Sequence, residues 1–164
     1  MDTIFALASG QLPAGIAVVR LSGARAFSVA EALVGSLPPA RTTSLRTIRN
    51  RNGEVLDTGL VVCFSGTHSF TGEDVVEFHL HGSRAVVRAM STALLTFDGV
   101  RQAEAGEFTQ RAFVNGKFDL TMAEGLASLI DAETEAQRQY ALRQSKGESF
   151  ELYEAWQDEL LRMR

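Results

Sequence analysis

The segment Val75 to His81 constrains the fold of this chain more than any other, because its side chains alternate strictly in character. Val76, Phe78 and Leu80 fall on one side of an extended chain, and Glu77, His79 and His81 fall on the other. A strand of this kind turns one face to a core and one to a polar environment, the pattern of antiparallel sheets rather than of parallel sheets buried on both faces. The turn-rich stretch Ser69-Phe-Thr-Gly-Glu-Asp74 leads into it, and Gly82 ends it.

The flanking sequence supplies partners for that strand. Residues 2–8 alternate weakly before Ser9-Gly10, and a turn over Gln11 to Gly15 leads into the apolar run Ile16-Ala-Val-Val-Arg-Leu21. Ala26, Val29, Ala30 and Leu33 recur at helical spacing, and Pro38-Pro39 stops that helix. Asn52-Gly53, between Thr47-Ile48 and Val55-Leu56, predicts a hairpin closed by a type I′ turn. Ser83 is placed to cap a helix whose apolar face is Val86, Val87, Met90, Ala93 and Leu94, and Asp98-Gly99 turns the chain into a short strand over Val100 to Ala103. From Thr121 the character becomes helical. Thr121-Met-Ala-Glu124 has capping-box spacing and predicts the start of a long helix reaching toward Ser145. Phe150, Tyr153, Trp156, Leu160 and Met163 mark a further helical stripe, and no stop signal follows it, so the sequence is expected to be cut inside a helical domain. The fold class predicted is α+β: a mainly antiparallel sheet with covering helices over residues 1–118, then the first helices of a helical domain over 119–164.

Composition narrows function. With 164 residues and 45% hydrophobic content the chain can bury a core. Its formal charge of −4, from 20 acidic and 16 basic residues, shows no long single-sign block, so the footprint of a stand-alone nucleic-acid binder is missing and any RNA contact is expected to need other parts. The one cysteine, Cys63, sits in an apolar run and reads as a small buried residue; a disulfide framework is excluded. The acidic start and the lack of any apolar run near the roughly 18 residues of a membrane helix predict a cytosolic protein with no membrane partner.

Five positions could carry chemistry. Glu77 either accepts paired N–H donors of a heterocycle or belongs to a solvated strand face. His79 and His81 share its side, and a His-x-His pair can hold zinc, but the third histidine, His68, lies in a loop and no carboxylate or cysteine motif completes a site, so no metal is predicted. Arg20 interrupts a buried apolar run and must meet an acceptor, either a carboxylate of the fold or that of a ligand. Lys117, after Asn115-Gly116, either reaches the same ligand or caps the helix near Phe108 to Phe113. No G-x-x-x-x-G-K-[ST] segment is present, and no catalytic residue is predicted.

The whole chain resembles the amino-terminal region of the TrmE/MnmE family of tRNA modification GTPases. The resemblance is carried by Asp2-Thr-Ile-Phe, Ala17-Val-Val-Arg-Leu-Ser-Gly23, Ser69-Phe-Thr-Gly-Glu-Asp74, Gly106-Glu-Phe-Thr-Gln-Arg-Ala-Phe113 and Ala123-Glu-Gly-Leu-Ala-Ser-Leu-Ile-Asp-Ala132. It implies an α/β domain related to the tetrahydrofolate-binding fold of glycine-cleavage T-proteins, which homodimerises and binds a reduced folate such as 5,10-methylene- or 5-formyl-tetrahydrofolate. By position within the motifs, the family's folate-contacting arginine, glutamate and lysine match Arg20, Glu77 and Lys117. The resemblance further implies an FAD-containing partner, MnmG, and modification at C5 of the wobble uridine of tRNA, with GTP, Mg and K belonging to a GTPase domain that this sequence lacks. The carboxy-terminal Cys-x-Gly-Lys of the family is absent as well, so GTP hydrolysis is not expected of this chain alone.

Overall fold

The computed structural model describes residues 2–147, 156 and 159–162. The chain divides into two compact units, Met1–Phe108 and Thr109–Arg164. In the first, the elements run β1 (Thr3–Leu7), β2 (Ile16–Ser22), α1 (Ala26–Val34), β3 (Ser44–Arg49), β4 (Val55–Phe64), a 3-10 turn at Gly66–His68, β5 (Val75–His81), α2 (Arg84–Leu95) and β6 (Val100–Gln102). The six strands form one sheet in the order β3-β4-β5-β2-β1-β6. Every pair is antiparallel except β1 with β6, and α2 carries the chain from β5 across β2 and β1 to that edge strand.

The alternation of β5 fixes which face is which. Val76, Phe78 and Leu80 are buried, together with Val19 and Leu21 of β2, Val61 and Cys63 of β4 and Phe5 of β1. Helix α1 adds Ala26, Val29, Ala30 and Leu33 to this core and α2 adds Met90, Ala93 and Leu94, so both helices cover the same face of the sheet. The predicted apolar positions of α1 all pack in this core, and of those of α2 Met90, Ala93 and Leu94 do, with Val86 packed against it; Val87 is not part of it. Ser83 caps α2 as its side chain accepts from the backbone N–H groups of Ala85 and Val86. Cys63 is buried in the core, and burial pushes its thiol pKa up.

The hairpin between β3 and β4 forms where Asn52-Gly53 predicts it, but with a different turn. Gly53 takes φ 84° while Asn52 does not enter the left-handed region, and the Gly53 N–H donates to Asn50 O at 3.0 Å. A type I′ turn needs positive φ at both central residues. Asn50 decides the outcome instead, because its side-chain oxygen accepts from the N–H groups of Asn52 and Glu54, an Asx-type arrangement that stabilises a longer loop.

The second unit is helical. α3 (Glu107–Val114) enters it, followed by α4 (Leu120–Ile130) and α5 (Glu135–Gln144). The single long helix expected from Thr121 is therefore two. Asp119 rather than Thr121 is the N-cap of α4, accepting from the Met122 N–H at 2.8 Å, and Thr121 Oγ1 donates to the same carboxylate. The chain breaks at Asp131 and restarts with a reciprocal capping box between Thr134 and Gln137. At Gly125 in α4, a Cβ would lie 2.5 Å from Ser145 N and 2.7 Å from Gln144 C, so only glycine permits this approach of α4 to the end of α5. Of the predicted stripe, Trp156 and Leu160 are helical and exposed, and Phe150, Tyr153 and Met163 lie outside the described residues. No helix among the described residues is long and apolar enough to cross a membrane.

Candidate functional site

Because the helices cover one face, the polar residues of β5 and their neighbours in β2 line the other. The register pairs Arg20 with Glu77, and on either side of them stand Ala6 of β1 and Val62 of β4. Arg20 Nε donates to Glu77 Oε1 at 2.8 Å, and its Nη2 lies at the same distance from that oxygen. The second oxygen, Oε2, faces His79 Nε2 at a longer 3.3 Å. Side-chain exposures of 26% for Arg20, 16% for Glu77 and 32% for His79 make this a half-buried row rather than a solvated strand face. The guanidinium carbon of Arg20 also stands over two rings, 5.3 Å from the centroid of Phe70 and 5.8 Å from that of Phe108.

Each ring is held by a motif. Phe70 belongs to Ser69-Phe-Thr-Gly-Glu-Asp74, whose polar residues build a loop: buried Ser22 Oγ bonds Thr71 Oγ1 and donates to Glu73 Oε2, both at 2.7 Å. Asp74 accepts from the Gly66 N–H through its carboxylate and from Gly23 N through its carbonyl. Phe108 follows Glu107, which receives both Nη atoms of Arg101 at 2.8 and 2.5 Å and the N–H of Glu104. These bonds, with a further ion pair to Asp2, raise the Arg101 pKa. Beside Phe70, Ser69 is 6% exposed, and its Oγ has no hydrogen-bond partner among the described residues. A buried hydroxyl left in this state is costly unless something arrives to satisfy it.

The remaining candidates are placed differently. His81, 73% exposed, is tied to Asp57 of β4: its backbone N–H donates to Oδ2 and its ring Nδ1 meets Oδ1, both at 2.8 Å. Burial pushes the Asp57 carboxyl up, but the two contacts from His81 and the Thr58 N–H outweigh it and leave the pKa below the usual value. His79 and His81 thus serve different carboxylates, and no group of three His, Cys, Asp or Glu among the described residues is arranged to hold a metal. Lys117 lies in the second unit. Its N–H donates to Ala112 O after Gly116 at φ 67°, so the backbone of this turn closes the end of α3.

Sequence reasoning selects Arg20, Glu77 and Lys117 and places only Glu77, His79 and His81 on one face; the structure brings Arg20 into contact with Glu77. It passes over Phe70, Phe108 and Ser69 as site residues. All three stand inside quoted motifs, and an aromatic immediately beside a capping or turn residue was the available signal.

Fold and site together define an α+β sheet domain that covers one face with helices and carries an arginine, glutamate and histidine row, flanked by aromatics, on the other. The family model described as "GTP-binding protein TrmE N-terminus" matches residues 3–117. The chain belongs to the TrmE/MnmE family and corresponds to its amino-terminal domain. It is similar to the tRNA modification GTPase MnmE of Brucella anthropi, 55% identical over 99% of this chain and 37% of the relative. It is also similar to MnmE of Roseobacter denitrificans, 56% identical over 99% of this chain and 38% of the relative, and to that of Brucella canis at 53%. The chain therefore spans less than two-fifths of the length of these relatives.

Proposed function

We propose that this domain binds a reduced folate, such as 5,10-methylene- or 5-formyl-tetrahydrofolate, as part of a tRNA modification GTPase acting at C5 of the wobble uridine. The observation that carries the reading is the half-buried Arg20–Glu77–His79 row beside two aromatic rings and the unsatisfied Ser69 hydroxyl. One oxygen of Glu77 is fixed by Arg20, and the other makes only the long contact to His79. Adjacent N–H and amino donors of a pterin compete readily for that second oxygen, and the Arg20 pairing orients the carboxylate for them. Phe70 and Phe108 bring aromatic surface to the Arg20 end of the row. When bound, the folate supplies the one-carbon unit. Lys117 enters the proposal through its motif position alone, as a cation for the anionic glutamyl tail.

The domain division at 1–118 and 119–164, a homodimer formed by the first part, and an FAD-containing MnmG-type partner belong to the same reading, supported by membership of the family. GTP turnover is assigned to regions outside this chain. A second reading, a dimerisation module whose ions are structural, is favoured by the direct pairing of Arg20 with Glu77. Titration with 5-formyl-tetrahydrofolate and with a pterin lacking the glutamyl tail separates the two. The folate reading predicts saturable binding of both, weaker without the tail; a structural pair predicts no heat from either.

A further inference from the structure

The helix side of the sheet carries a second feature. One face of α2, with Arg88 and Thr92 over three alanines, stands opposite the tip of the β3–β4 hairpin, with Asn50, Arg51 and Asn52, and between them is a groove of about 600 Å3. Arg51 is preorganised: its guanidinium lies 4.6 Å from the Phe97 centroid and donates to Thr96 O at 3.0 Å, which leaves donors directed elsewhere. Arg88 is exposed and makes no hydrogen bond or ion pair among the described residues. The one acidic residue of the lining, Glu54, is engaged by the side-chain amide of Asn50 at 2.7 Å.

The charge around this groove differs from that of the chain as a whole. Arg51 and Arg88 line the groove with a single carboxylate, that of Glu54, in a protein of formal charge −4. The two arginines are 37 residues apart in the sequence, and folding brings them to one groove. Charges screen one another within roughly 8 Å at physiological salt, so a ligand at the groove meets the local arginines rather than the net charge.

We propose that this groove binds the phosphodiester backbone of RNA. Guanidinium forks suit phosphate oxygens, and amide and hydroxyl groups suit ribose and phosphate. The proposal rests on the reading of the protein as a tRNA modification enzyme for the identity of the RNA. Its site lies on the opposite face of the sheet from Arg20 and Glu77, so the two are separable.

The test is fluorescence anisotropy of a labelled tRNA transcript titrated with the chain between about 50 and 200 mM salt. Binding is expected to weaken linearly in log–log form. Arg88→Glu should lower affinity about tenfold and Arg88→Gln less, each reducing the salt slope by about 0.7–0.9 for one lost phosphate contact. Arg143→Glu in α5, an equal change in net charge, should change affinity less than about twofold if contacts rather than net charge dominate. Folate titration of Arg88→Glu should match the unsubstituted chain, so loss of RNA binding alone and loss of folate binding alone are distinguishable. The proposal is overturned if the chain does not bind tRNA at the lowest salt, if Arg143→Glu costs as much as Arg88→Glu, or if a mononucleotide at equal phosphate concentration displaces the transcript completely.

Discussion

Arg20 satisfies two demands with one side chain: it neutralises Glu77 across the β2–β5 pair and lies against Phe70 and Phe108. Removing it strands a half-buried carboxylate, so Arg20→Ala should destabilise the fold by about 1–2 kcal/mol, less than for a fully buried pair. Glu77→Gln should cost less, because an amide leaves no uncompensated charge; denaturant unfolding of both variants checks the order. Asp57 gives a pH signature. Its folded pKa is depressed, so its contribution to stability is present above the ordinary carboxylate value and lost as pH falls through the folded one. Asp57→Asn should therefore lower stability at neutral pH and flatten its decline below about pH 4, as read from melting temperature against pH. The need for a partner at Arg20 was legible from a charge inside an apolar run. Its partner was not, because 57 residues separate it from Glu77 and only the β2–β5 register joins them.

Among the elements, those with strong periodicity were legible: β5 by strict alternation, α1 and α2 by their apolar faces and, in α2, by the Ser83 cap. Breaks decided by local side-chain chemistry were harder. The hairpin turn follows from Asn50 accepting two backbone N–H groups, which overrides the Asn52-Gly53 signal, and the helix break at Asp131 follows from the Thr134–Gln137 box, whose spacing was visible but lay within a stretch free of strand signals. Gly125 reads as a helix weakness, yet its lack of a Cβ is what admits Ser145 and Gln144. Gly125→Ala gains helix propensity of about 1 kcal/mol but must push backbone aside, so the net expectation is destabilisation, seen as a lower melting temperature. An unchanged or higher one would mean that the packing of α4 on α5 yields easily.

At the scale of the whole molecule, family membership rests on residues 3–117, which take in the entire sheet and both covering helices. The homodimer expected of this region should appear in light scattering as twice the chain mass, and a chain mass alone would remove dimerisation from the account. The central claim is that the Arg20–Glu77–His79 face is a folate site. Isothermal titration with 5-formyl-tetrahydrofolate tests it most directly, run on the unsubstituted chain and on Glu77→Gln, with unfolding curves confirming that both are folded. The account predicts a saturable isotherm with one site per chain, and a loss of about 1.5–3 kcal/mol of binding free energy in Glu77→Gln. Absence of binding by the folded chain, or equal affinity in the two proteins, would contradict it.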